Sequence, residues 1–134
     1  MKHKHYPAFL IWLLVGIVLF NALAGHFLWY YHFLWLDRPM HLAAGSWIGA
    51  SAVWILNVRW HVYSDVARRK SLLLIAVLCA LGVGLLWEVV EYVIDVVGGA
   101  HPWSFVDTAS DLAFDIIGGF VGGLYIRYRN FYIA

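Results

Sequence analysis

The chain has 134 residues, 63% of them hydrophobic and 13% charged, with a mean hydropathy of +0.76. Soluble domains run at about 45–50% apolar and about 25% charged, and so short a chain could not hide this much apolar surface from water. A net charge of +1, with the basic residues beside apolar runs rather than on one face, argues against nucleic acid as a partner.

Four segments reach the roughly 20 mostly apolar residues that a membrane-spanning helix needs: Ala8 to Leu36, Met40 to Val58, Ser71 to Val97 and Val106 to Ile126. The first and third exceed the requirement and are expected to tilt or project. Short connectors join them: Asp37-Arg38-Pro39, Arg59 to Lys70, and Gly98 to Phe105. No repeat or low-complexity tract interrupts the pattern. Residues 1–134 therefore read as one all-α domain, an integral membrane four-helix bundle.

The first span has a competing reading. Lys2 and Lys4, the apolar run from Ala8 to Phe20 and the small residues Ala22-Leu23-Ala24 resemble a secretory signal. The apolar stretch continues through Phe27, Trp29 and Leu34, which favours a retained helix.

Loop charge sets orientation. Lys2, Lys4, Arg59, Arg68, Arg69, Lys70, Arg127 and Arg129 fall on one side and Arg38 alone on the other. Both termini are expected in the cytoplasm. Trp12, Trp60, Tyr63, Tyr125 and Tyr128 would then form the inner aromatic belt, and Trp29, Tyr30, Tyr31, Trp35 and Trp103 the outer one. Trp47, Trp54 and Trp87 fall nearer mid-span. The lone Cys79 lies within an apolar run and can form no internal disulfide.

The acidic residues sort oppositely. Asp37 opens the second span, Glu88, Glu91 and Asp95 lie toward the outer end of the third, and Asp107, Asp111 and Asp115 occupy the first turns of the fourth. Only Asp65 is on the cytoplasmic side. Residues three and four apart share a helix face, so each set forms a stripe, and Asp37 shares its face with His41. Each stripe runs into small residues: His41 to Gly45 and Gly49, Glu88 from Gly84, Asp115 to Gly118 and Gly122. Small residues let membrane helices approach closely, so these faces are expected to meet inside the bundle.

A carboxylate within a membrane helix is disfavoured by about 2.5–3.5 kcal/mol on insertion scales, and several together repel. Protons, an arginine or a cation must relieve that repulsion, and Arg38 is one charge against seven. His41 as nitrogen ligand with Glu88, Glu91, Asp111 and Asp115 as oxygen ligands could hold one or two divalent ions. Asp37 would orient the imidazole from behind, with Asp95 and Asp107 nearby and Arg38 available to a head group. The bland alternatives are protonated acids that hydrogen-bond the helices together, and Arg38 as an interfacial anchor.

Given a divalent metal, the site suits hydrolysis or group transfer on a lipid-linked or envelope substrate, with Glu88 or Glu91 as the general base. No nucleophile motif, paired-histidine zinc motif or phosphate loop occurs. A proton or ion pathway is the weaker reading, because titratable groups stop about halfway across; Asn21 and His26 alone could extend it. A non-catalytic role stays open, as an accessory subunit of a larger membrane complex or a cation- or proton-binding envelope protein. His3, His5 and His61 read as solvated, His101 as a loop residue, and His26 and His32 as packed or interfacial.

Three blocks carry a family resemblance: Asp37-Arg38-Pro39-Met40-His41-Leu42-Ala43-Ala44-Gly45, Glu88-Val89-Val90-Glu91, and Asp107 through Gly118. In this order they resemble the VanZ-like small bacterial membrane proteins, especially the YjdF-like group. The resemblance covers the second to fourth spans, about two thirds of the chain. It implies a bacterial inner-membrane location and supports Asp37, His41, Glu88, Glu91, Asp107, Asp111 and Asp115 as a site. It implies no particular reaction, beyond the association of VanZ-like members with glycopeptide resistance.

Overall fold

An apolar chain in lipid must satisfy its backbone polar groups internally, and helices do so within one segment. The structure, a computed structural model, describes residues 5–59, 69–99 and 104–131, with backbone alone at 57–59, 69, 70, 130 and 131. These residues are helical apart from short turns and contain no strand: α1 (Ala8–His26), α2 (Trp29–His32), α3 (Asp37–Val53), a π-helical segment (Trp54–Arg59), α4 (Arg69–Gly98) and α5 (Phe105–Phe131). Lys2, His3, Lys4, Trp60, His61, Tyr63, Asp65, Arg68, His101 and Trp103 lie outside the described residues.

Among the described residues, three helices are long and apolar enough to cross a membrane: Ala8–His26, Ser71–Gly98 and Phe105–Arg129. The expected second span differs. Its helix α3 has 17 residues and begins three residues early, at Asp37. Pro39 does not block that start, because N–H groups in a helix's first turn have no intrahelical partner to lose. Asp37 also places a negative charge at the positive end of the helix dipole. After Val53 the backbone widens into π geometry through Arg59.

The first span is also corrected. The expected run to Leu36 breaks after His26, where Leu28 adopts a left-handed conformation (φ 58°) between α1 and the single turn of α2. The Phe27 N–H donates to the Leu23 carbonyl and the Leu28 N–H to the Gly25 carbonyl. Leucine thus takes a cap conformation normally filled by glycine. The other two spans end by ordinary means: Gly99 (φ 63°) follows α4 in left-handed geometry, and the Ser104 hydroxyl, 3.4 Å from the Asp107 N–H, caps α5.

The interior is graded along the helices. At one end Leu10, Val53, Leu72 and Ile126 form a dry apolar core with Ala50 and Ala76. Around it Tyr6 hydrogen-bonds Ser51 at 2.6 Å, and Arg129 lies over the Phe9 and Tyr125 rings. The middle consists of small residues. A Cβ on Gly45 would sit 2.6 Å from the Asp115 carbonyl oxygen, and one on Gly49 only 2.7 Å from the Gly119 Cα. Gly118 and Gly122 press equally closely on the α3 backbone at Leu42 and Ser46, and Gly119 and Gly123 on Ala80 and Ala76 of α4. Glycine is therefore what brings α3 and α5 together, their close approach replacing the hydrophobic drive absent in lipid. The buried face of α4 descends by fours through Leu72, Ala76, Ala80 and Gly84 to Glu88. At the other end the interior is polar. Helix α1 is peripheral: it rests mainly on α3, barely meets α4, and buries only Leu10 and Ala24.

Candidate functional site

The polar end of the bundle is built by the same three faces. His41 stands on α3 one turn from Gly45, Glu88 on α4 one turn from Gly84, and Asp111 and Asp115 on successive turns of α5. All four are buried: His41 is 5% exposed, Glu88 8%, and Asp111 and Asp115 2% each. Such burial of ionisable side chains is rare without partners.

Asp115 has the most defined partners. Its Oδ2 lies 2.9 Å from His41 Nδ1, and its carboxylate rests directly over Gly84, where a Cβ would collide with it. Its main chain meanwhile abuts Gly45. Two glycines on two helices thus make the space in which this carboxylate reaches the imidazole. With Asp115 ionised, Nδ1–H donates, leaving the lone pair on Nε2. That atom is buried without a hydrogen-bond partner and lies 3.8 Å from both Asp37 Oδ1 and Glu88 Oε1.

Two groupings of potential donor atoms share His41. Asp37, His41 and Asp111 offer atoms within 4.8 Å of one another, and so do His41, Glu88 and Glu91. Glu88 Oε1 and Asp111 Oδ1, like His41 Nε2, are buried and unpartnered. Glu91 is steadied at one oxygen by the Trp87 indole N–H, 2.8 Å away.

The expected residues thus separate by position. His41, Glu88, Glu91, Asp111 and Asp37 approach a shared region around the imidazole, although the two groupings do not merge into one. Asp115 and Asp37 exchange places relative to expectation: Asp115 holds the ring from behind, while Asp37 faces the free nitrogen. Asp107 is exposed, with Arg38 3.8 Å away at a partly exposed ion pair. Asp95 joins neither grouping; its carbonyl accepts the Gly99 N–H. His26 is exposed with its ring against Phe27, and His32 lies 2.9 Å from the Leu28 carbonyl.

Beside the imidazole lies a cavity of about 160 Å³ lined by residues of four helices, including Asn21, Asp37, His41, Ala44, Trp87 and Asp115. Asn21 accepts a hydrogen bond from the Tyr30 hydroxyl. Trp87, which lines the cavity and holds Glu91, is a polar contributor that sequence reasoning passed over. Trp87 carried a signal, standing four residues before Glu91 and so on the same face.

The family described as "Predicted membrane protein (DUF2238)" matches residues 2–130. The chain belongs to the DUF2238 family. Its membrane character accords with the three long apolar helices, and the matched region takes in the whole acidic and histidine cluster of this DUF2238 protein. No curated protein matches the chain, and no solved structure does.

Proposed function

We propose that the cluster around His41 binds a divalent cation and supports a metal-dependent reaction on a lipid-linked or envelope substrate. One observation carries this reading: His41 Nε2, Glu88 Oε1 and Asp111 Oδ1 are all buried without a hydrogen-bond partner, in groupings spanning no more than 4.8 Å. A buried unpaired polar atom costs about 1–3 kcal/mol, more when charged, and a cation at Nε2 would satisfy the imidazole together with the carboxylates of the grouping that holds it. The donor chemistry fits: one imidazole nitrogen with carboxylate oxygens and no sulfur suits hard or borderline ions such as Mg, Mn, Ca, Fe or Zn.

His41, Glu88 and Glu91 would hold the ion, with Asp37 and Asp111 the alternative carboxylate pair on the same imidazole. Asp115 would fix the imidazole tautomer and raise its basicity, as carboxylates behind metal-binding histidines do. A bound divalent ion would supply Lewis acidity toward a phosphoryl or carbonyl oxygen. Glu91, held at one oxygen by Trp87, would give its other oxygen to the ion, which leaves the second oxygen of Glu88 to take a proton in transit.

The same reading includes a single-domain bundle in which α3 and its π-helical extension form a fourth span. Both termini would lie in the cytoplasm, the acidic end would face outward, and the host would be bacterial with the protein in its inner membrane. The eight-to-one distribution of basic residues supports the orientation. The resemblance of three sequence blocks to VanZ-like and YjdF-like proteins supports the host and the site. The accessory-subunit alternative draws less support, because the glycines of α3 and α5 are already taken up by contacts within the bundle.

Elemental analysis of the purified protein tests the proposal. Wild type should retain a divalent metal after exhaustive dialysis and Glu91→Gln should retain less; equal content in both, or none in either, would refute it.

A further inference from the structure

The cavity beside His41 is polar at one end and apolar at the other, and this gradient follows the helix axes. Asp37, Asn21 and Trp87 line its polar end; Ile17, Ile48 and Val83 extend the lining toward the middle of the bundle. From Asp37 to Ile48 the α3 wall descends about 16 Å at 1.5 Å per residue. A membrane phospholipid has this same gradient along this same direction, with its phosphate at the interface and its chain pointing inward.

The cavity is also placed where lipid can reach it. Ile17 and Asn21 of α1 form one wall, and Val83, Gly84 and Trp87 of α4 another. These helices scarcely touch, so the wall between them is a lateral seam. The residues flanking this lining form apolar, exposed lips: Val18 next to Ile17 on α1, and Leu86 next to Trp87 on α4. At the back of the cavity His41 is 95% buried, with its Nε2 unpartnered.

We propose that this cavity admits one acyl chain of a membrane phospholipid through the α1–α4 seam, bringing the lipid phosphate to the His41 end. The inference rests on the cation reading in one respect: a phosphate beside Asp37, Glu88 and Glu91 needs a positive ion between them. It narrows the substrate class from envelope molecules in general to a phosphate-bearing lipid bound from within the bilayer. Ala44 and Val83 are the residues whose size sets the width of the chain path.

The test uses the full-length protein in nanodiscs containing phosphatidylglycerol with a photoactivatable diazirine in one acyl chain, followed by mass-spectrometric mapping. The inference predicts interior labels on Ile17 and Ile48 as well as surface labels on the exposed Val83 and Leu86. Ala44→Phe should abolish the interior labels while leaving Leu86 labelled and metal content unchanged. Val83→Phe, which narrows the path from α4, should do the same and guards against one variant failing to fold. Chelation should remove the interior labels if the cation holds the phosphate. A head-group-free diazirine alkane should label the lips and not the interior.

Labels confined to the lips, or interior labels given equally by the alkane, would overturn the lipid inference while leaving the cation reading intact. Absence of metal from wild type, with interior labelling indifferent to chelation, would overturn the cation reading instead.

Discussion

Replacing Gly84 by alanine separates the site from the fold. The added Cβ would occupy the position of the Asp115 carboxylate, with the carboxylate carbon 2.8 Å away and the Asp115 Cβ 3.4 Å away. The obstructing atoms end a flexible side chain, so the clash is relieved by rotating Asp115 and the helices need not separate. That rotation breaks the 2.9 Å contact with His41 Nδ1. A hydrogen bond to a charged group is worth about 1.5–3 kcal/mol. Loss of the partner behind a metal-binding histidine typically lowers metal affinity about 10–100-fold, which is about 1.4–2.8 kcal/mol. The two figures agree in size. Gly84→Ala should therefore still fold, with a metal-free Tm lowered by the loss of that one hydrogen bond, and weaken metal binding by one to two orders of magnitude on titration against a competing chelator. Unchanged affinity would refute the claim that Asp115 fixes the imidazole.

Gly49→Ala is the contrasting case: its Cβ meets the Gly119 backbone, which cannot rotate away, so the α3–α5 crossing must open. Overpacking of this kind costs about 1–3 kcal/mol, and Tm in detergent should fall. Arg38→Ala removes an ion pair whose side chains are 42% and 55% exposed; such pairs contribute about 0–1 kcal/mol, so neither Tm nor metal content should change measurably. Leu28→Gly relieves a left-handed leucine, a conformation costing about 1–2 kcal/mol for residues with a Cβ. Tm should rise, because that relief exceeds the roughly 0.5–1 kcal/mol that glycine's extra freedom in the unfolded chain costs; an unchanged or lower Tm would contradict this.

Helical spacing made much of this arrangement legible. The rows His41–Gly45–Gly49, Gly84–Glu88 and Asp115–Gly118–Gly122 are each a helix face written in intervals of three and four, and each is buried as a face. The membrane setting followed from composition alone. Spacing fixes a direction around a helix, however, and says nothing of height. Asp107 shares the stripe of Asp111, yet it lies in the first turn of α5 and pairs with the partly exposed Arg38. Asp95 lies two turns beyond Glu88 and likewise stays outside the His41 groupings.

Other features depend on contacts between distant residues. Asp37 stands four residues before His41 and Asp115 is 74 residues away, so the local neighbour looked like the ring's natural partner. The glycines at 45 and 84 reverse that, by making room for Asp115 alone to reach Nδ1. The break at Leu28 was hidden for another reason. A left-handed residue is usually betrayed by glycine or asparagine, and here the position carries an apolar side chain continuous with its neighbours.

The central claim is that His41 is the one nitrogen in a cation site otherwise made of carboxylates. X-ray absorption at the edge of the retained metal tests it most directly. The account predicts a first shell of oxygens with a single imidazole, at about 2.0–2.6 Å, and loss of the imidazole signal together with most of the metal in His41→Ala. A shell with no imidazole in wild type, or full metal content in His41→Ala, would contradict it.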